Sequence, residues 1–323
     1  MLESERMQQI GEVTAVTFNS SEGHTLFGTL HSPAQSRADL PVIVLLSPGV
    51  KMRVGPGRLY VPLTDTLVEM GYRVFRFDFF GLGDSTGELQ ETMLADVYNN
   101  IEVGRYVADT RSALQWLRQN TGAKKFILGG LCGGAITALL TAEREPDVEA
   151  LLSLGMTVTL ASNAATPAKF LTRQQLDHRR KGYYRRLLSP ISWWRLLTGK
   201  SEYGVIWRSL KRLVIKEKPA AAAPAATIEQ RGNANPLFPP AFFAFLKRGG
   251  RALMLFSEKD RLQSEYEEKF AAPFAEQLQP YLPQLHKHVV AEANHVLSFT
   301  PWQKEMVAVS RSWLQTLHGA PRA

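Results

Sequence analysis

One cysteine, Cys132, is all the thiol chemistry that this 323-residue chain carries. Intrachain disulfides and a multi-cysteine metal cluster are thereby excluded, and a reducing compartment suits the chain. Long apolar runs are missing too: none reaches the ~18 residues that a membrane-spanning helix needs. The opening stretch, Met1 to Gln9, is polar and lacks the apolar centre of a signal peptide, so a cytoplasmic protein is expected. No metal-ligand spacing and no phosphate-cradling glycine loop is present, so neither a metal nor a cofactor is expected.

What the chain does have is enough apolar residues, 45% of the total, to bury a full core. Its positive charge is local. Between Lys169 and Lys218, 14 Lys/Arg stand against 3 acids, a local excess of +11 where the whole chain carries +8. The remainder is therefore net acidic. That basic stretch also holds Tyr183, Tyr184, Trp193, Trp194, Tyr203 and Trp207, and it runs into the low-complexity segment Pro219–Ala226, which reads as a loose linker.

Elsewhere the pattern is regular. Residues 12–31 alternate apolar and polar around a Ser-Ser-Glu-Gly turn, as an antiparallel hairpin does. The unbroken apolar run 41–46 marks a strand buried on both faces. After a glycine-rich loop, 47–57, come a helix over 60–70, a strand over 72–77 and a long helix from about 103 to 119. Strands follow at 126–128, 148–154, 251–256 and 288–290, with helices from 135, near 265–278 and over 303–317. Strand–helix alternation of this kind predicts a mostly parallel sheet covered by helices on both faces. The rhythm breaks between 162 and 245. Residues 1–161 and 246–323 are thus expected to form one core domain, with 162–245 inserted as a basic, Trp-rich helical lid.

The chemistry centres on Gly130-Leu131-Cys132-Gly133-Gly134, between the strand 126–128 and the following helix. This is the spacing of a nucleophile elbow. A residue on so sharp a turn is strained, and the chain passes close to itself two residues either side, where only glycine fits. The helix that follows directs its first N–H groups at the nucleophile, and that field favours the thiolate, the reactive form of a thiol. Set against this is the plain alternative of a small buried cysteine in a glycine-rich turn.

An elbow nucleophile needs a base, and the base an orienting acid, in the order nucleophile, acid, histidine. Asp260 follows the strand 251–256, and His295 lies in the loop after the strand 288–290. Both fall at carboxyl ends of strands, where such sheets bind ligands. Glu258 is the competing acid. Asp78, Asp84 and Ser85 are read as shaping the turn after their strand. Of the oxyanion donors that acyl chemistry needs, one is expected to be the Gly133 N–H and the other the N–H of Val50 or Lys51. Arg53 and Lys51 are candidates for an anionic group on the substrate, and Trp193 and Trp194 for lining its site.

Three motifs carry a resemblance: Arg53-Val-Gly55, Val74 through Glu88 and Gly130-Leu-Cys-Gly-Gly-Ala135. On them the chain resembles the α/β-hydrolase superfamily, and within it the exosortase A system-associated hydrolases of bacteria. The resemblance implies a cysteine at the elbow with aspartate and histidine behind it, mapping to Cys132, Asp260 and His295. Where relatives carry His-Gly before the oxyanion loop, this chain has Pro48-Gly49. An elbow cysteine is also similar to that of dienelactone hydrolases and polyhydroxyalkanoate synthases. The expected function is acyl processing of an ester or thioester through an acyl-enzyme, on a small-molecule or carrier-bound substrate. The alternatives are an acyltransferase, since a thioester is itself an acyl donor, and a binding protein built on an inactive hydrolase. The basic lid suits an anionic carrier or a membrane surface better than nucleic acid, because its charges interleave with Trp and Leu as on an amphipathic helix.

Overall fold

Five consecutive buried residues, Val42–Leu46 (β3), set the plane of the fold. Val42, Val44 and Leu46 face one apolar layer, and Ile43 and Leu45 face the other. A strand with a wet face would not tolerate five apolar residues in a row, so helices must cover both sides. The computed structural model describes residues 11–35, 37, 39–160 and 232–319.

Eight strands form one sheet in the order β1-β2-β4-β3-β5-β6-β7-β8. The hairpin of β1 (Glu12–Asn19) and β2 (Thr25–Ser32) pairs antiparallel with itself and with β4 (Val74–Phe77). All other pairs are parallel: β3 with β4 and with β5 (Phe126–Leu131), then β6 (Val148–Leu154), β7 (Arg251–Ser257) and β8 (Leu285–Val290). Leu46 is in register with both Phe77 and Gly130. That register brings the residues after β3, β4 and β5 to a single rim.

The helices are α1 (Tyr60–Glu69), α2 (Leu94–Glu102), α3 (Val107–Thr121) and α4 (Gly133–Arg144) in the first part of the chain. Later come α5 (Phe238–Lys247), α6 (Arg261–Tyr266), α7 (Ala275–Leu278) and α8 (Thr300–His318). The helix expected over 103–119 is shifted toward α3, and α2 precedes it unanticipated. Gly104, at φ 103°, divides the two. The helix expected over 265–278 is broken into α6, a π-turn (Glu267–Ala271) and α7, because Pro273 has no N–H to continue it.

The expected boundary of the insertion at 245 is displaced. Thr159 bridges Ala234, Asn235 N–H donates to Val158 O (2.9 Å), and the core unit takes up again at Asn233. Helix α5 then buries Phe238, Phe242 and Phe245 in the main core, with Phe238 and Phe242 packed on Phe270 at ring distances of 4.7 and 5.3 Å. An aromatic stripe at helical spacing is here a core face. Residues 161–231, and with them Trp193, Trp194 and most of the expected lid, lie outside the described residues. Among the described residues no helix is long and apolar enough to cross a membrane. Replacing Phe242 by Ala is expected to cost about 3–5 kcal/mol, read as a lowered denaturant midpoint of the main transition. An unmoved midpoint would place α5 outside the core.

Candidate active site

Cys132 sits between β5 and α4 at φ 54°, ψ −113°. A non-glycine residue at positive φ is costly, on the order of 1–3 kcal/mol, and persists only where its surroundings hold it. Here the surroundings are visible. Cys132 N–H donates to Leu154 O (2.9 Å), and its carbonyl accepts from Ala135 and Ile136 N–H at 2.9 and 3.2 Å. The two flanking glycines are required sterically. A Cβ on Gly130 would come within 2.7 Å of the Gly134 backbone, and one on Gly134 within 2.6 Å of Leu46 O.

A residue that the sequence reading passed over completes the clamp. The buried Tyr60 hydroxyl donates to Leu46 O (3.0 Å) and accepts from Leu131 N–H (2.7 Å). It ties the end of β3 to the residue before Cys132, and burial pushes its own ionisation up. An aromatic at the start of a helix gave no sign of this, because both its partners are main-chain groups.

The histidine and acid meet as expected. His295 Nδ1 is 2.6 Å from Asp260 Oδ2, and Asp260 Oδ1 accepts from Arg261 N–H at 2.7 Å. With Nδ1 taken by Asp260, Nε2 is left for the thiol, and Cys132 lies close enough to raise the histidine pKa. The hydrogen bond to Asp260, then the neighbouring Cys132, push the histidine pKa up to about 10 against the opposing effect of burial. Both contacts therefore favour the imidazolium, the form that His295 takes when it accepts a proton from the thiol. Glu258, the competing acid, instead accepts from Glu292 N–H (2.8 Å) and braces the histidine loop. His31 is buried beside Arg76, His288 lies on Glu305 and His318 on Glu149.

The amides expected to hold an oxyanion lie close together. Gly133 N–H is the first amide of α4 and so has no acceptor within the helix. The loop after β3 runs against it: a Cβ on Gly133 would lie 3.1 Å from Gly49 Cα and 2.9 Å from Ile101 of α2. Val50 and Lys51 follow Gly49 directly, and neither N–H has a hydrogen-bond partner among the described residues. Arg53, read as a substrate contact, is held elsewhere. Its guanidinium binds Asp78 and Asp84 (2.7 Å to the latter) and lies over the Phe27 ring at 4.5 Å, while its N–H donates to Asp78 Oδ1 at 2.6 Å. The buried Asp78 and its turn thus fix the loop after β3 through Arg53, and Ser85 Oγ donates back to Asp78 O at 2.6 Å.

Among the described residues no three His, Cys, Asp or Glu side chains group as a metal site would. A groove of about 510 Å³ opens at the opposite, amino ends of β5, β6 and β7, lined by Lys125, Glu149, Arg251 and His318 among others. Lys125 and His318 in it are both paired with Glu149, and it lies away from Cys132.

The raised pKa of His295 links the site to stability. The contribution of the pair is complete below the ordinary pKa of 6.5 and is lost as pH rises toward 10. The melting temperature of the native protein is therefore expected to fall relative to that of Asp260→Asn across that window. Parallel curves for the two proteins would contradict the linkage.

Comparison with known proteins agrees with this fold. A family described as serine aminopeptidase, S33, matches residues 40–193. No curated protein sequence matches the chain. Among solved structures, an esterase of Pyrococcus furiosus is similar at 14% identity, with 96% of this chain and 92% of that one covered and a TM-score of 0.57. A dienelactone hydrolase of Anabaena variabilis is similar at 15% identity, over 97% and 100% of the two chains, with a TM-score of 0.55. An esterase domain from Rhodothermus marinus is similar at 17% identity, over 94% and 99%, with a TM-score of 0.51. The S33 match supports the α/β-hydrolase superfamily, and the sheet order, the elbow and these neighbours establish that the chain has the α/β-hydrolase fold.

Proposed function

We propose that the protein is an acyl-processing hydrolase of the esterase type, acting through a covalent thioester on Cys132. The observation that carries this reading is the 2.6 Å contact of His295 with Asp260 beside Cys132, which stands at positive φ on the sheet rim. A chain that had lost its chemistry would have no need to keep the carboxylate, the imidazole and the thiol together on one rim. The S33 match and the esterase and dienelactone hydrolase neighbours support hydrolysis of esters, and the motif-level resemblance to exosortase A system-associated hydrolases supports the cysteine.

The steps follow from the geometry. Sγ attacks the acyl carbonyl carbon with its proton already held on His295 Nε2, and Asp260 holds Nδ1–H and the ring's orientation. The developing oxyanion is met by Gly133 N–H and by the N–H of Val50 or Lys51, donors already in place before the charge appears. Collapse of the tetrahedral intermediate expels an alcohol or thiol, which takes the proton from Nε2. A water molecule then gives its proton to Nε2 as it attacks the thioester, and departure of Sγ with that proton kept on Nε2 releases the acid. An acceptor alcohol or amine in place of that water would make the same site an acyltransferase.

A panel of short and medium p-nitrophenyl esters and acyl thioesters tests the reading. Turnover is expected in the native protein, and a drop of about 10³-fold or more in kcat for Cys132→Ala and His295→Ala, since members of such a unit act together. Turnover that survives Cys132→Ala would overturn the assignment.

A further inference from the structure

Next to Asp260, on the same rim, Arg261 is held in a manner that its own helix does not explain. Its Nη1 donates to Glu265 Oε1 at 2.7 Å. The other oxygen of that carboxylate, Oε2, accepts from the buried Thr159 hydroxyl at 2.9 Å. Glu265 is 3% exposed, whereas the Arg261 side chain is 48% exposed. A carboxylate so deeply buried and fixed from a second element, the segment after β6, does not move with solvent. It fixes one edge of the guanidinium and leaves the rest facing outward. Nε and Nη2 of Arg261 donate to no described residue. The guanidinium also lies within electrostatic reach of Asp260 and of Cys132.

An exposed ion pair contributes little to stability, whereas a carboxylate buried this deeply needs a fixed cation and so holds Arg261 in one place. The planar guanidinium, in contrast to an ammonium, can be tied along one edge and still offer parallel N–H donors along another, the geometry that carboxylates and phosphates accept. Arg53, the cation expected in this role, is occupied by Asp78 and Asp84. We infer that Arg261 anchors an anionic group of the substrate, a carboxylate or phosphate carried a few atoms from the scissile carbonyl. Glu265 and Thr159 are its positioning residues. The inference rests on the reading of Cys132 as the nucleophile and adds the substrate's charge to it.

Because Cys132 is the single cysteine of the chain, the anchor can be tested without turnover. Two thiol reagents, 2-sulfonatoethyl methanethiosulfonate and the neutral methyl methanethiosulfonate, each form a disulfide with Sγ and release methanesulfinate. Their rates are read as mass increments of the intact protein. The ratio of anionic to neutral rate is expected to be several-fold to about tenfold higher in the native protein than in Arg261→Gln, as removal of one nearby charge implies. Arg261→Lys should restore part of the ratio. An equal ratio in native protein and Arg261→Gln, or an equal slowing of both reagents, would overturn the anchor. A charge preference at Cys132 without turnover of any ester would remove the hydrolase reading and leave the anion anchor standing. Turnover of neutral esters with no charge preference would do the reverse.

Discussion

Cys132 is held where an L-amino acid does not rest, at φ 54° and ψ −113°, and much of the site exists to keep it there. The strand before it and the helix after it cannot be joined by a relaxed turn, so the strain is met by packing. Gly130 and Gly134 let the chain close on itself, Leu154 O takes the Cys132 amide, and Tyr60 locks the preceding residue to the end of β3. Each of these contacts is buried, and the residues around them are rigid parts of the sheet. The conformation is therefore a property of the core as much as of the turn.

The same constraint places the other groups. With Leu46, Phe77 and Gly130 in register, the loops after β3, β4 and β5 leave the sheet at one level. The loop after β3 then passes Gly133 at backbone contact, and Asp78 secures it through Arg53. On the other side, β7 and β8 deliver Asp260 and His295 to the same rim, where Glu258 and Lys259 join the two loops by hydrogen bonds to Glu292 N–H and Ala293 O. Nothing here depends on a single flexible side chain. Asp260 and His295 are fixed by the main chain first and by their mutual hydrogen bond second.

The elbow, the acid and the histidine were legible in the sequence because each is tied to a local signal. Glycines at fixed offsets mark the turn, and Asp260 and His295 follow apolar runs by a few residues. What escaped was non-local. Tyr60 works through two main-chain groups, 14 and 71 residues away, that no side-chain pattern reveals. Arg53 looked free because its partner Asp78 lies 25 residues on, in a turn with its own shape. The phenylalanines of α5 resembled a lid because they follow a basic, aromatic segment, whereas their spacing belongs to a buried face. Helix α2 is nine residues long with no capping side chain, and it was passed over although Leu94, Val97 and Ile101 are spaced as one helical face. Yet it supplies Ile101, which closes on Gly133.

The central claim, that a strained cysteine on this rim accepts an acyl group, is tested most directly by intact-mass spectrometry of the protein mixed with a slowly hydrolysed acyl thioester. The account predicts one added acyl mass on the native protein, located at Cys132, accumulating in His295→Ala only slowly and in Cys132→Ala not at all. An acyl group found on another residue, or no adduct with ester turnover intact in Cys132→Ala, would contradict it.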